Sequence, residues 1–137
     1  MVLVAWASLN QENSHENHET YEKDEPKESS LVRGLNYDSQ GPAFHCLLWT
    51  LIELVKDLRR RKMKAKVVNT VHDNLVGDVP RNEVQDYIEL IREIVEERLP
   101  KAWPWLTAKL EIECEVAEEN WWSKKQWIKT DGVWGPK

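Results

Sequence analysis

Two strand-like runs, 65–71 (AKVVNTV) and 75–79 (LVGDV), stand either side of three polar residues, His72, Asp73 and Asn74. Residues rich in β-branched side chains favour the pleated, half-buried surface of a strand. So short a polar corner leaves the second run no path except back alongside the first, which is a β-hairpin. A lone hairpin is barely stable in water, so the flanking sequence must supply further strands or helices to cover one of its faces.

The flanks do so. After Gly41 and Pro42, apolar residues recur at Phe44, Leu47, Leu48, Leu51, Leu54, Val55 and Leu58, the stripe of an amphipathic helix. Pro42 suits a first-turn position. The run Arg59, Arg60, Arg61 and Lys62 complements the negative end of the helix dipole. Beyond Pro80, Asn82 followed three residues later by Gln85 has the form of a capping box. It predicts a second helix with the stripe Val84, Tyr87, Ile88, Ile91, Val95 and Leu99, ended by Pro100. After Trp103, Pro104 and Trp105, the segment from Lys109 to Ala117 alternates: Leu110, Ile112, Cys114 and Val116 on one side, Lys109, Glu111, Glu113 and Glu115 on the other. That is a half-buried antiparallel strand. The expected fold is α+β in the order α-β-β-α-β, an antiparallel sheet with helices on one face. A split β-α-β-β-α-β sheet has one strand more, at its start. Met1 to Trp6 could be a makeshift first strand, but a strand from outside the chain is the natural remedy for the open position.

At 137 residues the chain has room for one domain. Four segments are expected: 1–8, short and apolar; 9–30, an acidic linker; 31–122, the folded unit; and 123–137, a tail containing tryptophan. Within 9–30, seven acidic residues (Glu12, Glu16, Glu19, Glu22, Asp24, Glu25, Glu28) face Lys23 and Lys27, a net charge of −5. The whole chain has 24 acidic and 19 basic residues, so the remainder holds 17 of each. A nucleic-acid partner for the folded part is therefore not excluded by the overall acidity. With Tyr21 as its one large apolar residue, the segment 10–30 cannot offset its ordering entropy and is expected to be disordered. His15 and His18 within it read as solvated side chains. Cys46 and Cys114 lack CxxC spacing, so neither a zinc site nor a disulfide framework is indicated, and a reducing cytoplasmic setting follows. No apolar run approaches the ~20 residues of a membrane span, so no membrane partner is expected.

A hairpin corner projects side chains past the sheet, where the Asp73 carboxylate could reach a metal ion. The plainer alternative is that Asp-Asn is turn chemistry, with the aspartate bonded to its own backbone. Taken with its context, the unit VVNTVHDNLVGDVP resembles motif C of family A DNA polymerases, where a hydrophobic strand, His-Asp-Glu and a second strand follow in order. Upstream, Asn36-Tyr37-Asp38-Ser39-Gln40-Gly41 resembles the family segment Asn-x-x-x-Gln-Gly. Downstream, Glu119-Asn120-Trp121 resembles the close of the family's final strand. The three matches cover about residues 33–122.

The resemblance implies a partial palm and a role in DNA replication. Asp73 would be a catalytic ligand of Mg²⁺, and His72, also catalytic, would contact the backbone of the primer terminus. Gln40, Asn36 and Arg33 would be DNA-binding, on the minor-groove side of the nascent pair, where every base pair offers acceptors. Asn74 stands where the family has glutamate and lacks its charge. The family's Asp-x-Ser-x-x-Glu segment and its Arg-x-x-x-Lys-x-x-x-x-x-x-Tyr fingers helix are not found in the chain. The expected function is thus the C-terminal palm part of a DNA-directed DNA polymerase. It would act on primer-template DNA and dNTPs in the nucleoid or a phage-infected cell, with a second polymerase polypeptide supplying the other motifs and completing the two-metal site. The isolated chain is expected to be inactive. Two alternatives remain: a catalytically silent remnant serving as a binding or structural module, and a metal-dependent nuclease using Asp78 as a second acid. The run from Arg59 to Lys66 could contact phosphates or be a solvated helix end. Exposed tryptophans would suit a partner interface.

Overall fold

The computed structural model describes the backbone of residues 4–11, 28–71, 74–107 and 109–137, and within these the side chains from residue 44 onward. The architecture is α+β, with all strands in one antiparallel sheet. Strand β1 (Val4–Gln11) is followed by helix α1 (Glu28–Arg60), β2 (Lys66–Val71), β3 (Asn74–Asp78) and α2 (Val84–Arg92). A π-helical segment (Glu93–Arg98), α3 (Leu99–Ala102), β4 (Leu110–Ala117), β5 (Lys125–Thr130) and β6 (Val133–Pro136) complete the chain. The spatial order is β2-β3-β1-β4-β5-β6.

The first strand is therefore supplied by the chain itself, and it is central. Residues 4–8 of β1 pair with β3 (Val4↔Asp78 to Ser8↔Asn74), and all eight residues pair with β4 (Val4↔Ala117 to Gln11↔Leu110). This corrects the expectation of a position left open for an outside strand. The run VAWASL has the β-propensity to fill it, and filling it satisfies backbone groups on both neighbours. The strand also extends past the expected boundary at residue 8, to Gln11. The rest of the expected linker, 12–27, with His15 and His18, lies outside the described residues.

The first helix likewise begins earlier than expected, at Glu28, and runs through Gly41 and Pro42. A proline removes one backbone hydrogen bond from a helix interior. Apolar spacing at Leu31, Val32 and Leu35 continues the helical pattern upstream, so that single loss does not end the helix. The last turn closes on Lys62 in the left-handed region (φ 54°), with the Met63 amide donating to the Leu58 carbonyl at 3.0 Å. That is the closure of a helix C-terminus that usually uses glycine. Replacing Lys62 with glycine is expected to raise stability by about 0.5–1 kcal/mol, measured as a higher urea midpoint at unchanged m-value.

All six predicted stripe positions of the second helix are buried, joined by Leu90 and Ile94. The π-helical segment carries Ile94 and Val95, both buried, so the apolar face continues through it. The expected capping box does not form. Residues 81–83 make a 3₁₀ turn and α2 starts without a side-chain cap. Glu83 instead accepts the amides of Lys64 and Ala65, at 2.9–3.0 Å, fixing the connector between α1 and β2. Gln85 bonds the backbone of Trp134, with the Trp134 amide donating to Gln85 Oε1 at 2.8 Å.

One hydrophobic core joins Leu47, Leu54 and Leu58 of α1 with the α2 residues, Leu75 of β3, and Leu110, Cys114 and Val116 of β4. The alternation predicted for β4 holds: Leu110, Cys114 and Val116 are buried, while Glu111 and Glu113 are exposed. Helix α1 packs on β2 and β3, and α2 on β1 and β4. Both cysteines are buried, and burial pushes the Cys114 thiol up to about 12, so neither is poised as a nucleophile.

The C-terminal residues fold as a hairpin, β5–β6, turned by Asp131 (φ 51°) and Gly132 (φ 85°) between paired Thr130 and Val133. Two positive φ values at an Asp-Gly pair match the twist of adjoining strands. Glu89 of α2 holds this hairpin in place. It accepts bonds from Lys129 Nζ at 2.9 Å and Trp134 Nε1 at 3.1 Å, besides Arg92. The Arg92 guanidinium, with Lys129 and Trp134, draws the Glu89 carboxyl down to about 2. A depressed folded-state value gives stability that is present above the ordinary carboxylate range and lost as pH falls towards 2. Acidification from pH 5 to pH 2 should loosen the hairpin, read as a change in tryptophan fluorescence. Glu89→Gln should show little of this acid step.

Candidate active-site corner

The β2–β3 hairpin positions the polar corner singled out from the sequence. Val71 and Asn74 are register partners, so only His72 and Asp73 separate the paired strands. Both of these lie outside the described residues. The strand that follows is firmly anchored: Leu75 is 1% exposed and Val79 fully buried in the core. Gly77 lies against the ring of Tyr87, and a Cβ built on it would meet Tyr87 Cζ at 2.8 Å. The paired part of β3 is thus clamped close to the core.

Asn74 is 8% exposed, and its Oδ1 is buried with no hydrogen-bond partner among the described residues. A buried unpaired oxygen beside the corner carries a desolvation cost that a donor or cation would relieve. In the same row across the sheet stand Val71 of β2, Ser8 of β1 and Glu113 of β4. Sequence reasoning left Ser8 out because it took residues 1–8 as a short apolar segment. The alternation of Val4 and Trp6 with Ala5 and Ala7 was the available signal that a strand runs on to Ser8.

Asp78, the second acid of the nuclease alternative, stands four residues along β3 from Asn74, about 13 Å away. It pairs in register with Lys66 and Val4, at the opposite end of the sheet from the corner. Asp78 is therefore remote from Asn74 on the scale of a metal pair whose ions are about 4 Å apart, which weighs against the nuclease reading. Among the described residues no group of three His, Cys, Asp or Glu is placed to hold a metal ion.

Arg33, Asn36 and Gln40 all fall within α1. Their spacing of three and four residues places them on one face of the helix; their side chains lie outside the described set. Asn120, in the third matching segment, caps a short 3₁₀ turn, accepting the amides of Trp122 at 3.1 Å and Ser123 at 3.0 Å. Among the described residues no helix is long and apolar enough to cross a membrane.

The DNA polymerase family A model matches residues 9–123. DNA polymerase I of Lactococcus lactis subsp. cremoris is 36% identical over 70 residues, 51% of this chain and 8% of that protein. The DNA polymerase I of Lactococcus lactis subsp. lactis is 34% identical over a stretch of the same length, again 51% of this chain and 8% of the relative. The DNA polymerase of Bacillus phage SP01 is 31% identical over 74 residues, 53% of this chain and 8% of that protein. No solved structure matches the chain. The matched stretch is thus a small part of each relative's length. Since the family model spans well over half of the chain, this protein belongs to DNA polymerase family A.

Proposed function

We propose that the chain is a palm module of a DNA-directed DNA polymerase whose β2–β3 corner serves as motif C, contributing Asp73 to template-directed nucleotidyl transfer. The observation that carries this reading is the two-residue corner between paired Val71 and Asn74 in a chain of family A. In the relatives named DNA polymerase, the chemistry joins a primer 3′ hydroxyl to an incoming nucleotide. Transferred to this chain, Asp73 would ligate Mg²⁺, and His72 would steady the backbone of the primer end. Arg33, Asn36 and Gln40, on one face of α1, would probe the minor groove of the nascent pair without reading its sequence.

The donor set is compatible with Mg²⁺ in kind. This hard cation takes oxygen ligands and is commonly held by one or two carboxylates, with water and substrate phosphates filling its octahedron. The Asn74 amide oxygen lies next to Asp73 in the chain and lacks a partner among the described residues. When bound, the metal pair would lower the pKa of the attacking hydroxyl and stabilise the leaving pyrophosphate.

A second carboxylate is needed, and residues 4–11 of β1 contain neither aspartate nor glutamate. Because β1 occupies the sheet between β3 and β4, a partner polypeptide would have to bring its acid in from beyond the corner, not on an inserted strand. Primer extension tests the reading. The chain alone should show none, and a polypeptide carrying the missing motifs should restore it. Continued inactivity with such a partner would favour the second reading, a catalytically silent family A module. The absence of acids in 4–11 and the Asn74 amide in place of glutamate support that alternative.

A further inference from the structure

Most cations with described side chains are matched to acids. Lys56 pairs with Glu53, Arg60 with Asp57, Arg61 with Glu93, Arg81 with Glu118, Arg92 with Glu89, and Arg98 with Asp57 and Glu93. Arg59, Lys62, Lys64 and Lys66 stand apart: all four are exposed, and none pairs with an acid among the described residues. Three other exposed cations without an acid partner among the described residues, Lys101, Lys125 and Lys137, are scattered along the chain, whereas these four fall within eight residues.

The segment carrying these cations is held in a definite shape. Lys62 adopts the left-handed cap of α1, and the Glu83 carboxylate grips the amides of Lys64 and Ala65. Exposure alternates: Lys62, Lys64 and Lys66 face solvent, while Ala65 is buried in the core and Met63 and Val67 pack against it. The result places Lys62, Lys64 and Lys66 two residues apart along the solvent side, the last two about 7 Å apart in extended chain. The residues between them face inward, so the row presents no apolar anchor to a protein partner. Lysine is depleted in protein interfaces, whereas Lys and Arg dominate contacts with phosphates.

We infer that Arg59, Lys62, Lys64 and Lys66 form a sequence-independent contact for the phosphodiester backbone of nucleic acid, separate from the corner. The inference rests on the polymerase reading for its choice of ligand. It deepens that reading by giving the duplex a second point of attachment. Lys66 and Val71 are five residues apart along β2, roughly 17 Å. That corresponds to about five base pairs at 3.4 Å each, so the row would grip the duplex behind its reacting end.

The test is fluorescence anisotropy of a labelled primer–template duplex with the full chain, from 50 to 200 mM salt. Neutralising all four residues (R59Q, K62Q, K64Q, K66Q) should weaken binding at 50 mM by about tenfold or more and flatten the log Kd against log salt slope by roughly 3–4. The lysine-to-arginine version should keep the wild-type slope. R60Q with R61Q, which removes cations already paired, should change it much less. Folding of each variant is verified by thermal melting, and the exposure of all four positions predicts unchanged melting. Wild-type affinity and slope in the fourfold variant would overturn the inference. So would binding of poly-glutamate, but not duplex, to the wild-type chain. Duplex binding is read without Mg²⁺ or nucleotide, so a failure of the catalytic reading in primer extension leaves this result separately readable.

Discussion

Gly77→Ala is expected to destabilise the protein by about 3 kcal/mol, at the upper end of the cost of overpacking a core. An alanine Cβ at this position would press on Tyr87 Oη and sit 2.8 Å from Cζ, closer than real atoms approach. Tyr87 cannot swing aside, because it is fully buried between α2 and the sheet. Gly77 does not have a positive φ, so it is required here for space and not for backbone freedom. The Tyr87 hydroxyl is itself buried without a partner among the described residues, and burial pushes its pKa up, so it stays protonated. Tyr87→Phe should therefore be neutral or stabilising by about 1 kcal/mol. Combined with Gly77→Ala it should recover part of the loss, since the ring carbons still press on the new methyl. Urea denaturation of the four proteins gives the coupling directly. A Gly77→Ala change within 0.5 kcal/mol of wild type would mean that β3 and α2 are not packed as described.

The sequence exposed the fold where one face of an element met the core. In β4, charged residues alternate with Leu110, Cys114 and Val116, and burial follows that pattern. In the second helix, Val84 to Leu99 read as a stripe because tertiary burial and helical period agree. The readings that changed are those set by distant partners. Asn82 and Gln85 have the local form of a capping box, but Gln85 is taken by the Trp134 backbone 49 residues away, and Glu83 serves the α1–β2 connector. Nothing near Gln85 in sequence could have revealed this. Strand β1 is central because β3 and β4 both pair with it, a fact that lies in the register and not in the six residues first considered. For the site, the corner between Val71 and Asn74 was legible as alternating β-branched runs around polar residues. The burial of Asn74 was not, because an asparagine at a hairpin corner ordinarily reads as solvent-facing turn chemistry.

The larger functional prediction concerns Asp73. In a complex that extends primers, Asp73→Ala should lower the rate by roughly a thousandfold or more, because a metal ligand contributes several kcal/mol to the transition state. Asp73→Asn should be almost as severe, since the amide keeps the shape and loses the charge. Asn74→Asp should retain extension and, by adding an acid beside Asp73, should shift the Mg²⁺ requirement to lower concentration. Neither Asp73 change should alter the melting temperature much, because the anchor of the hairpin is Leu75 and Val79 in the core, whereas Asn74→Asp places a carboxylate at a buried position and should lower it without Mg²⁺. A collapse of folding in Asp73→Ala would instead assign the aspartate to a local turn bond.

The most direct test is single-nucleotide primer extension by the full chain, mixed with a polypeptide that carries the missing palm and fingers motifs but has no motif C of its own. The account predicts Mg²⁺-dependent extension with wild-type chain and none above background with Asp73→Ala. Equal extension by the two would contradict the claim that this corner supplies a catalytic metal ligand.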